Sequence, residues 1–268
     1  MAEEEGHSSQ NVAEPSDSNR DEDLEDIKKY KYEMDYPKKG VCVIINIEKL
    51  APELIKRENL ETGDRPGTNK DVESLSEVFT SYEFEVRIEN NATAERIAEV
   101  MKKVAEEDHS QRGCFVCVVL SHGKDGGFYC YDDFMEEEFL FNLFKGESCK
   151  QLVGKPKLFF IQACRGDKFD SGVTPYASVA TTSTGRIPIE ADFLCHYSTP
   201  PGYVAFRNIF DGSWFIQSLC EMLKKYGKIY ELMQILTRVN HKVAFKYEAS
   251  GKKEMPCIVS KLTKDIYL

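Results

Sequence analysis

Three near-continuous apolar runs constrain this chain most: VCVIINI at 41–47, CFVCVVL at 114–120 and LFFI at 158–161. Runs of this kind mark strands buried on both faces, as in a sheet covered by helices above and below. Amphipathic stretches separate them. Residues 68–79 place Val72, Leu75, Val78 and Phe79 at helical spacing, with Thr68 as the expected N-cap. Residues 84–88 alternate as a short strand, and 92–107 predict a helix turning Ile97, Val100, Met101 and Val104 inward. A glycine-punctuated hairpin near 126–131 and a helix carrying Phe139, Leu140, Leu143 and Phe144 precede the third run. A strand at 193–197, helices near 213–226 and 229–245, and a last apolar run at 256–260 complete the pattern. Strands alternating with helices imply crossover connections, hence an α/β fold with a mainly parallel central sheet and helices on both faces.

With 268 residues, 41% hydrophobic and 30% charged, the chain can fill one large domain or two small ones. No apolar run approaches the roughly 18 residues of a membrane span. The start, MAEEEGHSSQ, lacks the apolar stretch of a secretory signal, so a cytoplasmic protein is expected. Nine cysteines then read as reduced thiols and not as a disulfide frame. Of the net charge of −10, residues 1–36 carry −8, from twelve acids and four bases. The nearly neutral body offers no electrostatic footprint for nucleic acid. The acidic leader 1–36 reads as disordered, in the sharper reading a removable propeptide, and the Ser/Thr-rich stretch 171–185 as a polar linker.

Ligands of an open α/β sheet bind outside the carboxyl ends of its strands. The second run ends in Ser121-His122-Gly123 and the third in Gln162-Ala163-Cys164-Arg165-Gly166. Adjacent parallel strands would bring an imidazole, a thiol and backbone amides to one rim: a base, a nucleophile and oxyanion donors. A lone His or Cys is more often structural, and the joint placement is what favours chemistry.

Gln162 to Gly166 matches Q-A-C-[RQG]-G, the pentapeptide by which caspases are recognised, and His122 lies 42 residues upstream. The chain resembles that family, and its short-prodomain executioner group, from Tyr36 to Leu268. SHG, QACRG, EADFL at 190–194, RN followed by DGSWFIQSLC over 207–220, GDRPGTNKDV around Arg65 and the terminal PCIVSKLTKDIY carry the resemblance. It implies a cysteine endopeptidase that cuts exposed sites in proteins after aspartate, with no metal or cofactor, and with an apoptotic role. Cys164 would be the nucleophile, His122 the proton carrier, and the Gly123 and Cys164 amides the oxyanion donors. Arg65, Arg207 and Gln162 would hold the aspartate, since arginine supplies a permanently charged fork. Ala205 would meet substrate through its backbone, Val204 and Phe206 would wall the second subsite, and Asn208 and Trp214 the fourth.

The resemblance also implies a zymogen opened by an upstream protease and by itself. Its parts would be propeptide 1–36, large subunit 37–170, linker 171–185 and small subunit 186–268. The D-x-x-D pattern puts the activating cut after Asp170, with a weaker site after Asp17. The strand at 256–260 would pair with its twofold mate, giving a dimer of processed heterodimers. Two features depart from the family. Val204-Ala205-Phe206 stands where an aromatic residue, serine and tryptophan are more usual, and 247–255 is short where a longer loop walls the fourth subsite. Phe169, next to the expected cut, is a large side chain that the roomier second subsite would admit.

Other features read blandly. Cys114 and Cys117 point to opposite faces of a strand, unlike a metal or redox pair. Arg165-Gly166-Asp167 is a loop beside the nucleophile, not an adhesion tripeptide, and the Asn91-Ala92-Thr93 sequon goes unused inside a cell. His7, His109 and His241 read as surface residues, and His196 as packing. Rival readings are a catalytically dead homologue acting as a regulatory binding module, and another cysteine hydrolase of the same fold, such as a metacaspase, with acids in its first pocket.

Overall fold

The computed structural model describes residues 28–61, 63–168 and 190–268. In chain order the first half comprises β1 (Lys38–Asn46), α1 (Pro52–Glu58), α2 (Thr68–Ser81), β2 (Phe84–Asn90), α3 (Ala94–Glu106) and β3 (Arg112–Leu120). Then come β4 (Gly123–Lys124), β5 (Gly127–Tyr129), β6 (Phe134–Glu136), α4 (Glu137–Phe144) and β7 (Lys157–Gln162). The remainder is β8 (Phe193–Tyr197), β9 (Arg207–Asn208), β10 (Gly212–Ser213), α5 (Trp214–Tyr226), α6 (Leu232–Lys246) and β11 (Cys257–Ser260).

One six-stranded sheet, ordered β11-β8-β7-β3-β1-β2, forms the middle of the molecule. All its pairings are parallel except that of β11, which runs antiparallel along β8. Every residue of β3 and β7 is buried. Alternation splits the apolar runs between two cores. Cys42, Ile44, Val116, Val118 and Phe160 face α2, α5 and α6, while Val43, Phe115, Cys117, Val119 and Phe159 face α1, α3 and α4. Cys114 and Cys117 therefore lie on opposite faces, and burial pushes the Cys114 thiol up to about 12. On the second face Phe115 stacks on Phe144 at 4.0 Å.

Three expectations need correction. Thr68 is the first residue of α2 and not its cap, because its hydroxyl is engaged elsewhere: it donates to Asn46 Oδ1 at 2.7 Å and accepts from Arg65 Nη1 at 3.0 Å. His109 is fully buried and not on the surface, its Nε2 held 2.7 Å from the Val104 carbonyl. The expectation of disorder over 1–36 fails at residues 28–36, the part of that stretch the structure describes. Tyr32 and Met34 are buried, and the Tyr32 hydroxyl donates to Asp192 at 2.7 Å and accepts from the Thr263 amide at 3.0 Å. Tyr30, Tyr32, Met34 and Tyr36 alternate with charged residues, a period-two signal that the acidic average conceals. The linker 171–185, Asp170, Asp17 and His7 lie outside the described residues.

Candidate active site

Neighbouring strands set the site. Leu120 of β3 is paired with Gln162 of β7, and the Ser121 amide donates to the Gln162 carbonyl at 3.1 Å. His122 and Cys164 therefore leave the sheet side by side at its carboxyl edge. Gly123 sits where a Cβ would fall 2.8 Å from the carbonyl oxygens of both Cys164 and Gly127, so backbone occupies the space of a side chain. Beyond Cys164 the chain zips against a second segment: the Arg165 amide donates to Tyr203 O at 2.9 Å and Lys168 to Gly202 O at 3.0 Å. Gly166 permits this, since a Cβ there would lie 2.4 Å from the Gly202 carbonyl carbon. The Arg165 guanidinium lies over the Tyr197 ring at 3.9 Å, packed and not displayed as an adhesion tripeptide would require.

A cavity of about 270 Å³ opens at this edge, lined by Arg65, His122, Gln162, Cys164, Ala205 and Arg207. Arg65 is only 1% exposed and donates from Nη1 to Ile47 O and Thr68 Oγ1, each at 3.0 Å. Arg207 donates from Nε to Pro66 O at 2.9 Å. Arg65 Nε, His122 Nε2 and Gln162 Oε1 are buried with no hydrogen-bond partner. Unpaired polar atoms cost free energy in a buried wall, so convergent ones mark a cavity built around a polar guest.

The site's charges follow from burial. Desolvation first, then the Arg65 and Arg207 cations, push His122 down to about 4, leaving the imidazole neutral. Burial also raises the Cys164 thiol, against the pull of the Ala205 backbone and Arg65. Arg65 itself is lowered to about 9 by burial and by Arg207, with Asp71 opposing. Cys164 Sγ accepts from the Ala205 amide at 3.5 Å, and Nε2 of His122 does not bond it. The resting pair is a neutral thiol and a neutral base, not hydrogen-bonded to one another.

A thiol, an imidazole, the buried Arg65 and the half-buried Arg207 in one cavity match what a family model finds: the caspase domain model covers residues 39–267. The chain belongs to the caspase family. It is 46% identical to Caspase-3 of Bos taurus over 244 residues, 88% of this chain and 86% of that one. To Caspase-7 of Gallus gallus it is 46% identical over 252 residues, covering 89% and 80%. The crystal structure of Caspase-1 from Spodoptera frugiperda superposes with a TM-score of 0.79 at 37% identity, covering 88% of this chain and 92% of that one. As a caspase of the executioner type, this chain is a cysteine endopeptidase that cleaves after aspartate. Nothing favours the dead homologue, and the first pocket carries arginines where the rival hydrolases would need acids.

The remaining expected caspase subsite residues flank the cavity. Phe206 stacks on Trp214 at 4.7 Å, and Trp214 on Tyr247 at 5.3 Å, both with rings 17° from parallel. Val204 is tied through its amide to Lys168 O at 3.0 Å. Asn208 is exposed, and its Oδ1 accepts from the Phe210 and Asp211 amides, which holds the following turn. Sequence reasoning missed Asp71, Tyr247 and Glu254. Asp71 is buried, accepts from Ser213 N at 2.9 Å and Gln217 Nε2 at 2.8 Å, and is the anion that most favours the charge of both arginines. In the sequence it reads as an ordinary acid in a helix's first turn, which hides its role. Among the described residues no group of three His, Cys, Asp or Glu is placed to hold a metal, and no helix is long and apolar enough to cross a membrane.

Proposed function

We propose that Cys164 is the nucleophile, that His122 takes its proton and later delivers it to the leaving amine, and that Arg65, Gln162 and Arg207 bind the aspartate. The observation that carries this reading is the single cavity uniting these groups with unpaired polar atoms in its walls. An aspartate carboxylate entering it would offset the arginine charges that now disfavour a cationic His122, so substrate binding itself makes the imidazole a better base. Thiolate attack then gives an oxyanion held by the Gly123 and Cys164 amides. Collapse expels the amine with the proton from His122, leaving a thioester. Water attacks that thioester, His122 takes the water's proton, and the regenerated thiol leaves with the acid product free.

Ala205 would pair with the substrate backbone, Val204 and Phe206 would border the residue before the aspartate, and Asn208 and Trp214 the fourth. The same reading makes 1–36 a leader trimmed after Asp17, although its last residues are packed. A cut after Asp170, within or before the linker 171–185, would part a large chain from a small one. It would release the zipped segment behind Cys164, allowing Sγ to leave Ala205 and reach His122. Two cut copies would associate along β11, in the cytoplasm, under an upstream protease.

N-terminal sequencing of purified wild-type, Cys164→Ala and Asp170→Ala proteins tests this. Wild type should show a new terminus at Ser171 and hydrolyse Asp-Lys-Phe-Asp peptides. Cys164→Ala should show neither, and Asp170→Ala should remain mostly uncut and poorly active. Hydrolysis by Cys164→Ala would sink the mechanism, and normal maturation of Asp170→Ala the cut assignment.

A further inference from the structure

Glu254, on the segment between α6 and β11, is a carboxyl at 1% exposure that the reaction above does not use. Its Oε2 accepts a hydrogen bond from the Phe206 amide, and its Oε1 is buried without a partner. Among the described residues, the groups that act on its charge are the Phe206 amide and Asp71. The anions and thiols that face it are Asp71 of α2 and Cys164 of the loop after β7.

The backbone accounting of 203–207 explains what this carboxyl does. The Val204 amide is taken by Lys168 O at 3.0 Å, on the side away from the cavity. The Ala205 amide turns the other way, to Cys164 Sγ at 3.5 Å. Arg207 is held by pairing with Ser213 across β9 and β10. Between them the Phe206 amide finds its acceptor in a side chain, that of Glu254. The consecutive amides of 204, 205 and 206 thus bond three different partners, so holding Phe206 limits how Ala205 can turn. The same bond sets the origin of the Phe206 ring that stacks on Trp214.

We propose that Glu254 is a positioning residue for substrate: it anchors the Phe206 amide and so presents the Ala205 backbone and the Phe206 ring to the peptide. This rests on the proteolytic reading above. A neutral acid suits the place because an anion there would face Asp71 and Cys164. Burial holds the proton on Glu254 well above the usual carboxylate range. Glutamine offers the same acceptor geometry and cannot ionise.

The test uses the self-processed full chain, an Asp-Lys-Phe-Asp peptide with a fluorogenic amine, and kcat and KM measured from pH 6 to 10. Glu254→Ala should raise KM by about tenfold, the equivalent of one lost buried hydrogen bond. Glu254→Gln, whose side-chain oxygen can accept the same amide, should recover most of that loss. If wild type cleaves the peptide while Glu254→Ala matches it in KM, this assignment fails and the proteolytic reading stands. The same holds if Glu254→Gln is as poor as Glu254→Ala with its thermal midpoint intact. If wild type does not cleave the peptide, the proteolytic reading itself fails. Should Glu254→Ala not fold, Glu254→Gln decides alone: a rise of about tenfold in its KM with its thermal midpoint intact overturns the proposal.

Discussion

Gly123 shows how little room the site leaves a single residue. A Cβ there would meet two backbone oxygens at 2.8 Å, and neither can swing aside as a side chain would. Gly123→Ala should therefore displace the amide proposed to hold the oxyanion. Misplacement on the order of 1 Å costs about a hundredfold, so kcat/KM should fall by about that factor with the far-ultraviolet dichroism unchanged. Wild-type turnover would show that the loop has slack. At this scale the sequence was informative wherever a residue's chemistry is rare at a strand end. His122 and Cys164 could be read because an imidazole and a thiol beside glycines have few other reasons to terminate buried strands. Asp71 and Glu254 could not. An acid is common on any surface, and only the folded chain shows that these two are buried.

At the scale of elements, two tethers can be tested. The segment before β1 is strapped to the far end of the chain: Tyr32 N donates to Asp265 O at 3.0 Å, and the Tyr32 hydroxyl joins Asp192 and Thr263. Tyr32→Phe leaves the Thr263 amide without that acceptor and Asp192 without that donor. It should cost about 1–3 kcal/mol in urea unfolding at neutral pH, and a loss within error would make the strap ornamental. The second tether is β11, paired on one side with β8 and open on the other. Val259 on this edge is 43% exposed. In the proposed dimer a lysine there would bring like charges together across the twofold axis, so Val259→Lys should be monomeric by light scattering at micromolar concentration and weakly active. A stable Val259→Lys dimer would place the interface elsewhere. The strands were legible because each has its own apolar run, whereas the strap was masked by the acids around it.

For the whole molecule, buried histidines contribute to the response to acid, alongside carboxylates such as Glu107 that Arg87 holds low. Burial lowers His196 to about 4, and it lowers His122 and His109 as well. His196 packs edge-on against Phe215 at 4.7 Å and bonds Asn240 at 2.8 Å, which bears out its reading as a packing residue. Unfolded histidine titrates near 6.5, so between that pH and about 4 the unfolded chain binds protons the folded chain excludes. Stability contributed by a neutral His196 is thus intact above about pH 6.5 and lost as pH falls towards 4, up to about 3 kcal/mol. His196→Gln should flatten the pH dependence of urea stability by one proton's worth across that window, whatever its stability at neutral pH. An unchanged slope would mean that His196 is protonated in the fold.

The sequence by itself determined the α/β class, the parallel sheet, the strand ends that carry His122 and Cys164, and membership of a family with arginines for an aspartate. These are local or additive properties: periodicity, apolar runs, and short motifs whose residues stay adjacent in the chain. Only the tertiary structure decided that Arg65 and Arg207, 142 positions apart, share one cavity with Asp71 as their anion. It also decided that Cys164 rests against Ala205, that His109 is buried, and that Glu254 holds the Phe206 amide. Each of these depends on burial and on partners distant in sequence. A residue's type does not reveal whether water or another segment will satisfy it.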